Sequence, residues 1–355
     1  FVKDRTLIDA HARRLALLGF NLVRLHHHDS SSWVQPCLIA DGPTSQEFNE
    51  ESLDTYFYWI KALKENGIYV WADLRTGRMF REGDKIPGWG DFKADAKKGG
   101  GGAGLCYVNP RLQELMDQFA EKLLTRKNPH TGLAIKDDPA VMGALLLNEQ
   151  DFTSHFGNAL LGDKGAPYHN AIFNDLTKAF AEKTKLDLDK VRQTWLPGPS
   201  KLFLNDIEYA WSKARIAKLR ALGFKGPVAS GHNWGNPLFS LPALTAGEMI
   251  DTHAYQEAEF LGENPRYTGI YTHLLAVSAL PDRPLATTEY NSEEVGRDAF
   301  AIPLHMAGMA AFQDWDAPLL YGYSQDGLSG AKLSAWSSHN IPSIVGLMPV
   351  AALLF

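Results

Sequence analysis

Residues 5–29, RTLIDAHARRLALLGFNLVRLHHHD, contain one complete unit of the fold. Apolar side chains at helical spacing over 5–18 predict an amphipathic helix, Gly19 stops it, and NLVRLHHHD reads as a strand. The unit returns at 52–74, SLDTYFYWIKALKENGIYVWADL, with Ser52 as the expected N-cap, Asn66-Gly67 as the stop and IYVWADL as the strand. A helix feeding a short apolar strand, twice in succession, implies parallel strands joined by helical crossovers.

The alternation continues downstream. A helical stretch over 110–125 is followed by the strand AVMGALLLNE, entered from the turn signal Asp138-Pro139. Helical segments near 169–184 and 204–221 precede the strand GPVASGH, and MIDTHAY follows after a short connection. Helices near 267–279 and 298–313 lead into PLATTEYN and PLLYGYS, and residues 340–355 begin another helix. Seven strands are visible, so the expected fold is a (β/α)8 TIM barrel whose first strand lies upstream of residue 1. Residues 1–355 would then form one catalytic barrel, excerpted from a longer multidomain chain, as the start at Phe1 and the end within the apolar run Val350 to Phe355 suggest. The structural alternative is an open doubly wound sheet. No GxGxxG follows any strand, and Gly99 to Gly102 lacks the GK[ST] of a phosphate loop, so it reads as a flexible loop.

Bulk properties narrow the function. The chain has 45% hydrophobic residues and a net charge of -6, with its 35 basic residues scattered, so nucleic acid is not an expected partner. No apolar run reaches membrane-spanning length, and no membrane partner is expected. Cys37 and Cys106 are the only cysteines, which leaves no disulfide framework and no Cys-rich metal site. Residues 76–109, 152–167 and 256–266 each follow the C-terminal end of a strand, the face where barrel enzymes keep their active sites, and read as cleft-lining loops.

Two carboxylates end apolar strands on that face, Glu149 after LLLN and Glu289 after LATT. Retaining hydrolysis of a glycosidic bond needs two carboxyl groups about 5 Å apart, one protonated to act as acid and one to attack the anomeric carbon. Proximity and partial burial would push one pKa up, which suits Glu149 as the acid. Asn148, Arg24, His253 and Tyr255 lie at the ends of other strands or beside the pair. Asn148 can hydrogen-bond the hydroxyl next to the reacting carbon, while Arg24 and Tyr255 can orient the nucleophile. A single strand-end Glu is more often an ordinary ion pair, and it is the whole constellation that favours catalysis.

These residues, in this order, resemble the clan A glycoside hydrolases, particularly the family 5 cellulase and mannanase group. That group carries an Asn-Glu pair on strand four, as Asn148-Glu149; a Glu on strand seven, as Glu289 in TTEYN; an Arg on strand two, as Arg24 in LVRLHH; and His-x-Tyr on strand six, as His253 and Tyr255. The resemblance implies that Glu149 is acid/base, that Glu289 is nucleophile, that no cofactor is needed and that the substrate is a β-linked oligosaccharide or polysaccharide. Secretion is expected for attack on polysaccharide. The chain departs from the group at strand three, where Asp73-Leu74-Arg75 replaces a His, and at strand eight, where PLLYGYSQ offers Tyr321 or Tyr323 in place of a Trp and Trp336 lies further on. A divergent clan A family is therefore expected.

Strand alternation would put Arg24, His26 and His28 on the inner face, with His28 nearest the mouth as a sugar contact. Trp33, Trp89 and Trp234 follow strand ends and are candidates for stacking on sugar rings, Trp234 foremost, whereas Trp59 and Trp211 sit in helical patterns as core. Tyr323 is a further expected substrate contact. Two rival readings stand beside the glycosidase. One is a metal-dependent barrel hydrolase using His26, His28, His232, His253 and Asp326, which leaves both Glu residues without roles. The other is a carbohydrate-binding barrel that has lost catalysis.

Overall fold

The computed structural model describes residues 2–92, 101–234, 237–256, 258–264, 266–292, 296, 298–325, 327–329 and 334–355. Its strands are β1 (Leu22–Arg24), β2 (Tyr69–Asp73), β3 (Val141–Leu145), β4 (Val228–Ala229), β5 (Ile250–Tyr255), β6 (Leu285–Asn291) and β7 (Ala317–Leu320). All pair in parallel with their sequence neighbours, in two runs, β1-β2-β3-β4 and β5-β6-β7. A parallel bridge from Asn233 to Thr252 joins the runs just past β4. The helices are α1 (Arg5–Leu17), α2 (Glu50–Glu65), α3 (Pro110–Thr125), α4 (Pro167–Thr184), α5 (Leu188–Arg192), α6 (Pro199–Ala221), α7 (Pro237–Leu244), α8 (Tyr271–Ala276), α9 (Ala301–Gln313), α10 (Pro342–Val345) and α11 (Met348–Leu354). Among the described residues, no helix is long and apolar enough to cross a membrane.

Short polar side chains start the early helices. Asp4 accepts from the N–H groups of Thr6 and Leu7 ahead of α1, and Asn109, followed by Pro110, does the same for α3. At α2 the cap is Asn49 rather than Ser52. Its side chain accepts from Ser52 N at 3.1 Å, so the helix begins one turn earlier than expected. Gly19, at φ +86°, ends the α1 segment and meets α11 so closely that a Cβ would fall 2.4 Å from Ala352 Cβ.

The barrel interior is filled by Trp71, Leu145, Ala229, Met249, Ala286 and Leu319, contributed by successive strands and the segment before β5. Trp71 is fully buried beside Gly143, its partner in register, where a Cβ would lie 3.0 Å from the indole. A larger apolar cluster fills the space between β1–β4 and α1–α6. β1 and β7 have no mutual hydrogen-bonded pairing, and a groove of about 900 Å³ runs between them, lined by Leu15, Phe20, Leu22, Leu319, Met348 and Ala351. The gap lies where an eight-stranded count places the first strand.

The pattern expected over NLVRLHHHD breaks inside the run. β1 ends at Arg24, and His27 takes a left-handed backbone with φ 57°. His28 therefore points away from the mouth. Its Nε2 bonds the carbonyl of Asp73 at 2.8 Å, and its ring lies against Tyr56 and Phe119 with no exposure. His28 is a core residue, not a sugar contact.

Candidate active site

The C-terminal ends of the strands converge on Arg24. Its Nε donates to both oxygens of Asp73 at 2.9 and 3.0 Å, Nη1 to Glu289 Oε1 at 2.8 Å, and Nη2 to Asn148 Oδ1 at 2.6 Å. One planar fork thus fixes groups from β2, β6 and the segment after β3. Burial alone would lower the pKa of Arg24, but Asp73 and Glu289 outweigh it and hold the guanidinium above its usual value. With Oδ1 of Asn148 taken by Arg24, its Nδ2 is the end turned to other acceptors.

Glu289 is almost enclosed. Tyr255 donates to Oε2 at 2.6 Å, Arg24 to Oε1, and His26 Nε2 stands 3.3 Å from Oε1. His26 Nδ1 meets Asp73 at 2.5 Å, so the imidazole at this corner comes from the chain just past β1. Burial first, then Arg24, lowers the pKa of His26 well below its usual value. Tyr255 is raised by burial and by Glu289, which keeps its hydroxyl a donor.

Glu149 has different surroundings. Its side chain is 29% exposed against 7% for Glu289. Burial still raises its pKa above the usual 4.5, against the opposing pull of His232 and Arg24. Its backbone is left-handed, φ 43°, a conformation that costs a residue bearing a Cβ about 1–2 kcal/mol and is held by the fold around it. His253 Nδ1 meets Glu149 Oε1 at 2.6 Å and stands 3.4 Å from Glu289 Oε2, so this buried ring, whose pKa burial lowers, spans the pair. One oxygen of Glu149 and one of Glu289 lie within 4.8 Å of each other.

Beside Glu149 a depression of about 360 Å³ is lined by Trp234, Tyr255, Gln256, Ile270 and Tyr271. Trp234 is anchored there by Nε1 donating to the buried Asp151 at 2.7 Å, and its ring stacks on His155 at 4.2 Å. Trp336 packs edge-on to Tyr255 and lies 5.7 Å from Tyr321, so the two share the wall expected of strand eight. Tyr323 does not join them. Its hydroxyl bonds His11 and Arg14 of α1, which turns the ring's polar end away from Glu149 and Glu289 and into the groove beside β1. Trp33 is 59% exposed and stacks on His27, Trp89 packs on Phe92, and Trp59 and Trp211 are core.

The geometry therefore brings together Arg24, Asn148, Glu149, Trp234, His253, Tyr255 and Glu289, buries His28 in the core and ties the Tyr323 hydroxyl to α1. It adds Asp73, His232, Asp251 and Thr288, which the sequence reading gave no place in the glycosidase site. An Asp within the apolar strand MIDTHAY was the available signal, since a buried charge needs partners. The metal set expected as a rival does not assemble: His28 lies in the core and His26 is bound to Asp73, while Asp326 is outside the described residues. His232, His253 and Asp251 do cluster within 4.8 Å. Their nitrogens and oxygens are engaged by Glu149, Thr288 and one another.

No protein family profile matches the sequence, and no curated protein does. Solved structures do match. An endo-β-1,4-mannanase from Thermotoga petrophila superposes with a TM-score of 0.63 at 13% identity, over 99% of this chain and 74% of that one. An endo-1,4-β-mannanase from Rhizomucor miehei gives 0.61 at 15%, over 99% and 91%. A glycoside hydrolase family 5 mannosidase from Rhizomucor miehei gives 0.61 at 11%, over 99% and 87%. At such identities the likeness speaks for the fold, and the chain has the (β/α)8 fold of these family 5 glycoside hydrolases.

Proposed function

We propose that the chain is a retaining glycoside hydrolase in which Glu289 is the nucleophile and Glu149 the acid/base. The observation that carries this reading is the carboxylate pair, whose oxygens come within 4.8 Å in contrasting surroundings. That spacing suits direct attack by one carboxylate and leaves too little room for a water between the two, as inversion would require. In the first step a Glu289 oxygen bonds the anomeric carbon as the bond to the leaving oxygen breaks, and Glu149 gives that oxygen its proton. In the second, Glu149 takes a proton from water, the water oxygen bonds the anomeric carbon, and Glu289 is released. Asn148 Nδ2 is the donor for the neighbouring sugar hydroxyl, and Trp234 provides a stacking face beside Glu149. The mannanase and mannosidase neighbours make β-mannosides and β-1,4-mannan the first substrates to assay.

The test is Glu289→Gly with an activated aryl β-glycoside. The variant should be inactive, and azide should restore turnover with a glycosyl azide of inverted configuration. Normal turnover without azide would remove Glu289 from the reaction. Binding of oligosaccharide by the unaltered protein without turnover would instead support a carbohydrate-binding barrel.

A further inference from the structure

Asp251 is the second residue of β5, has no exposure, and makes no hydrogen bond to either carboxylate. We infer that Asp251 is the positioning residue that sets both of them, through Thr288 on one side and His232 on the other. The inference rests on the roles proposed for Glu149 and Glu289.

The first arm is a bulge. In the pairing of β5 with β6, Thr252 is opposite Thr287 and His253 is opposite Glu289, so Thr288 is skipped. A skipped residue has its N–H out of the ladder and needs another acceptor. Asp251 Oδ1 accepts from Thr288 N at 3.1 Å, and Asp251 Oδ2 accepts from Thr288 Oγ1 at 2.8 Å. The skip lets two consecutive side chains enter the site: Thr288 Oγ1 lies 3.0 Å from His253 Nε2 while Glu289 meets Arg24. Without it, strand alternation would send Thr288 and Glu289 to opposite faces. Asp251 thereby holds the phase that aims Glu289.

The second arm is a fixed tautomer. The backbone N–H of Glu149 donates to His232 Nδ1 at 3.1 Å, so that nitrogen carries no hydrogen and the ring proton is on Nε2. His232 Nε2 faces Asp251 Oδ2 at 3.2 Å, and both side chains are wholly buried. The carboxylate thus selects the tautomer that can accept from Glu149, and this bond restrains the left-handed backbone at φ 43° from which the side chain projects.

Asp251→Asn tests both arms. The amide has one acceptor oxygen where two groups of donors must be met, so its NH2 opposes either His232 Nε2–H or the Thr288 donors. The expected result is a fall in kcat of about 10- to 100-fold, the worth of a charge-assisted hydrogen bond, with KM little changed. In the long-range ¹H–¹⁵N spectrum the unaltered protein should show His232 protonated on Nε2 alone, and Asp251→Asn should shift that signal. His232→Asn, whose side-chain oxygen takes the place of Nδ1, should recover much of what His232→Ala loses. Should Asp251→Asn fail to fold, Thr288→Val removes the hydroxyl arm alone and should lower kcat with KM retained. Undiminished kcat in a folded Asp251→Asn or Thr288→Val variant would overturn the inference, as would a His232 ring protonated on Nδ1 in the unaltered protein. The tautomer measurement stands even if Glu289→Gly proves active, so failure of the catalytic assignment is separable from failure of this one.

Discussion

Replacing Glu149 by Gln removes the one proton that the proposed mechanism delivers to the leaving oxygen and changes little else. The amide keeps the shape of the carboxyl and can still bond His253 Nδ1, 2.6 Å from Oε1, so the packing around Arg24 and Glu289 is retained. A positioned general acid contributes about 10²- to 10⁴-fold, or about 3–5 kcal/mol of transition-state stabilisation. The loss in kcat/KM should therefore fall in that range for an oligosaccharide, whose leaving alkoxide needs the proton, and should be small for a dinitrophenyl glycoside, whose leaving group departs unaided. kcat on the activated substrate should still fall, because Glu149 also activates the water of the second step, and azide should restore it with retained configuration. The pH profile gives a second check. Burial raises the pKa of Glu149 above 4.5, so the acid stays protonated into less acidic solution and kcat/KM declines as pH rises through the raised value. Glu149→Gln should lack that alkaline limb. Equal losses on both substrates, or an unaltered alkaline limb, would refute the acid role.

Tyr255→Phe removes the 2.6 Å donor to Glu289 Oε2, a charge-assisted bond worth about 1.5–3 kcal/mol, and should cost about 10- to 150-fold in kcat/KM with thermal stability nearly unchanged. His28→Ala should show the reverse in a melt and a kinetic assay, losing about 2–4 kcal/mol of stability through a cavity beside Phe119 while KM is kept, because the ring never reaches the cleft. Glu208 is buried, and burial together with Asp151 raises its pKa, while its oxygen accepts from Thr153 N and Oγ1. The folded state thus holds a proton that the unfolded chain gives up above pH 4.5, so this group costs stability as pH rises from there. Glu208→Gln keeps the acceptor and should raise the melting temperature more at pH 8 than at pH 5, and the opposite ordering would disprove the buried-charge account.

The fold was legible because its signal is repeated: most strands are short apolar runs preceded by a helical stretch, and no single boundary had to be right, even though α7 ahead of β5 reads only as a short connection. β4 shows this, since only Val228–Ala229 of GPVASGH joins the ladder. Order along the barrel also made the distant pairing of Arg24 with Glu289, 265 residues apart, a matter of counting strands. What could not be read was phase. Alternation assigned His28 to the inner face by assuming that β1 continued past Arg24, whereas the left-handed turn at His27 sends it into the core. The opposite case occurs at Thr288, where one skipped residue turns two neighbours in TTEYN toward the site. A one-residue slip exchanges the faces of everything that follows, and nothing in the letters of either strand marks where it falls. The mark lies on the partner strand, where Asp251 interrupts an apolar run. A buried carboxylate within a strand must find donors, and the donors near it are the ones a bulge sets free. Barrel order thus tells which strand ends meet, while buried polar residues inside strands tell where the ladder is broken to aim them.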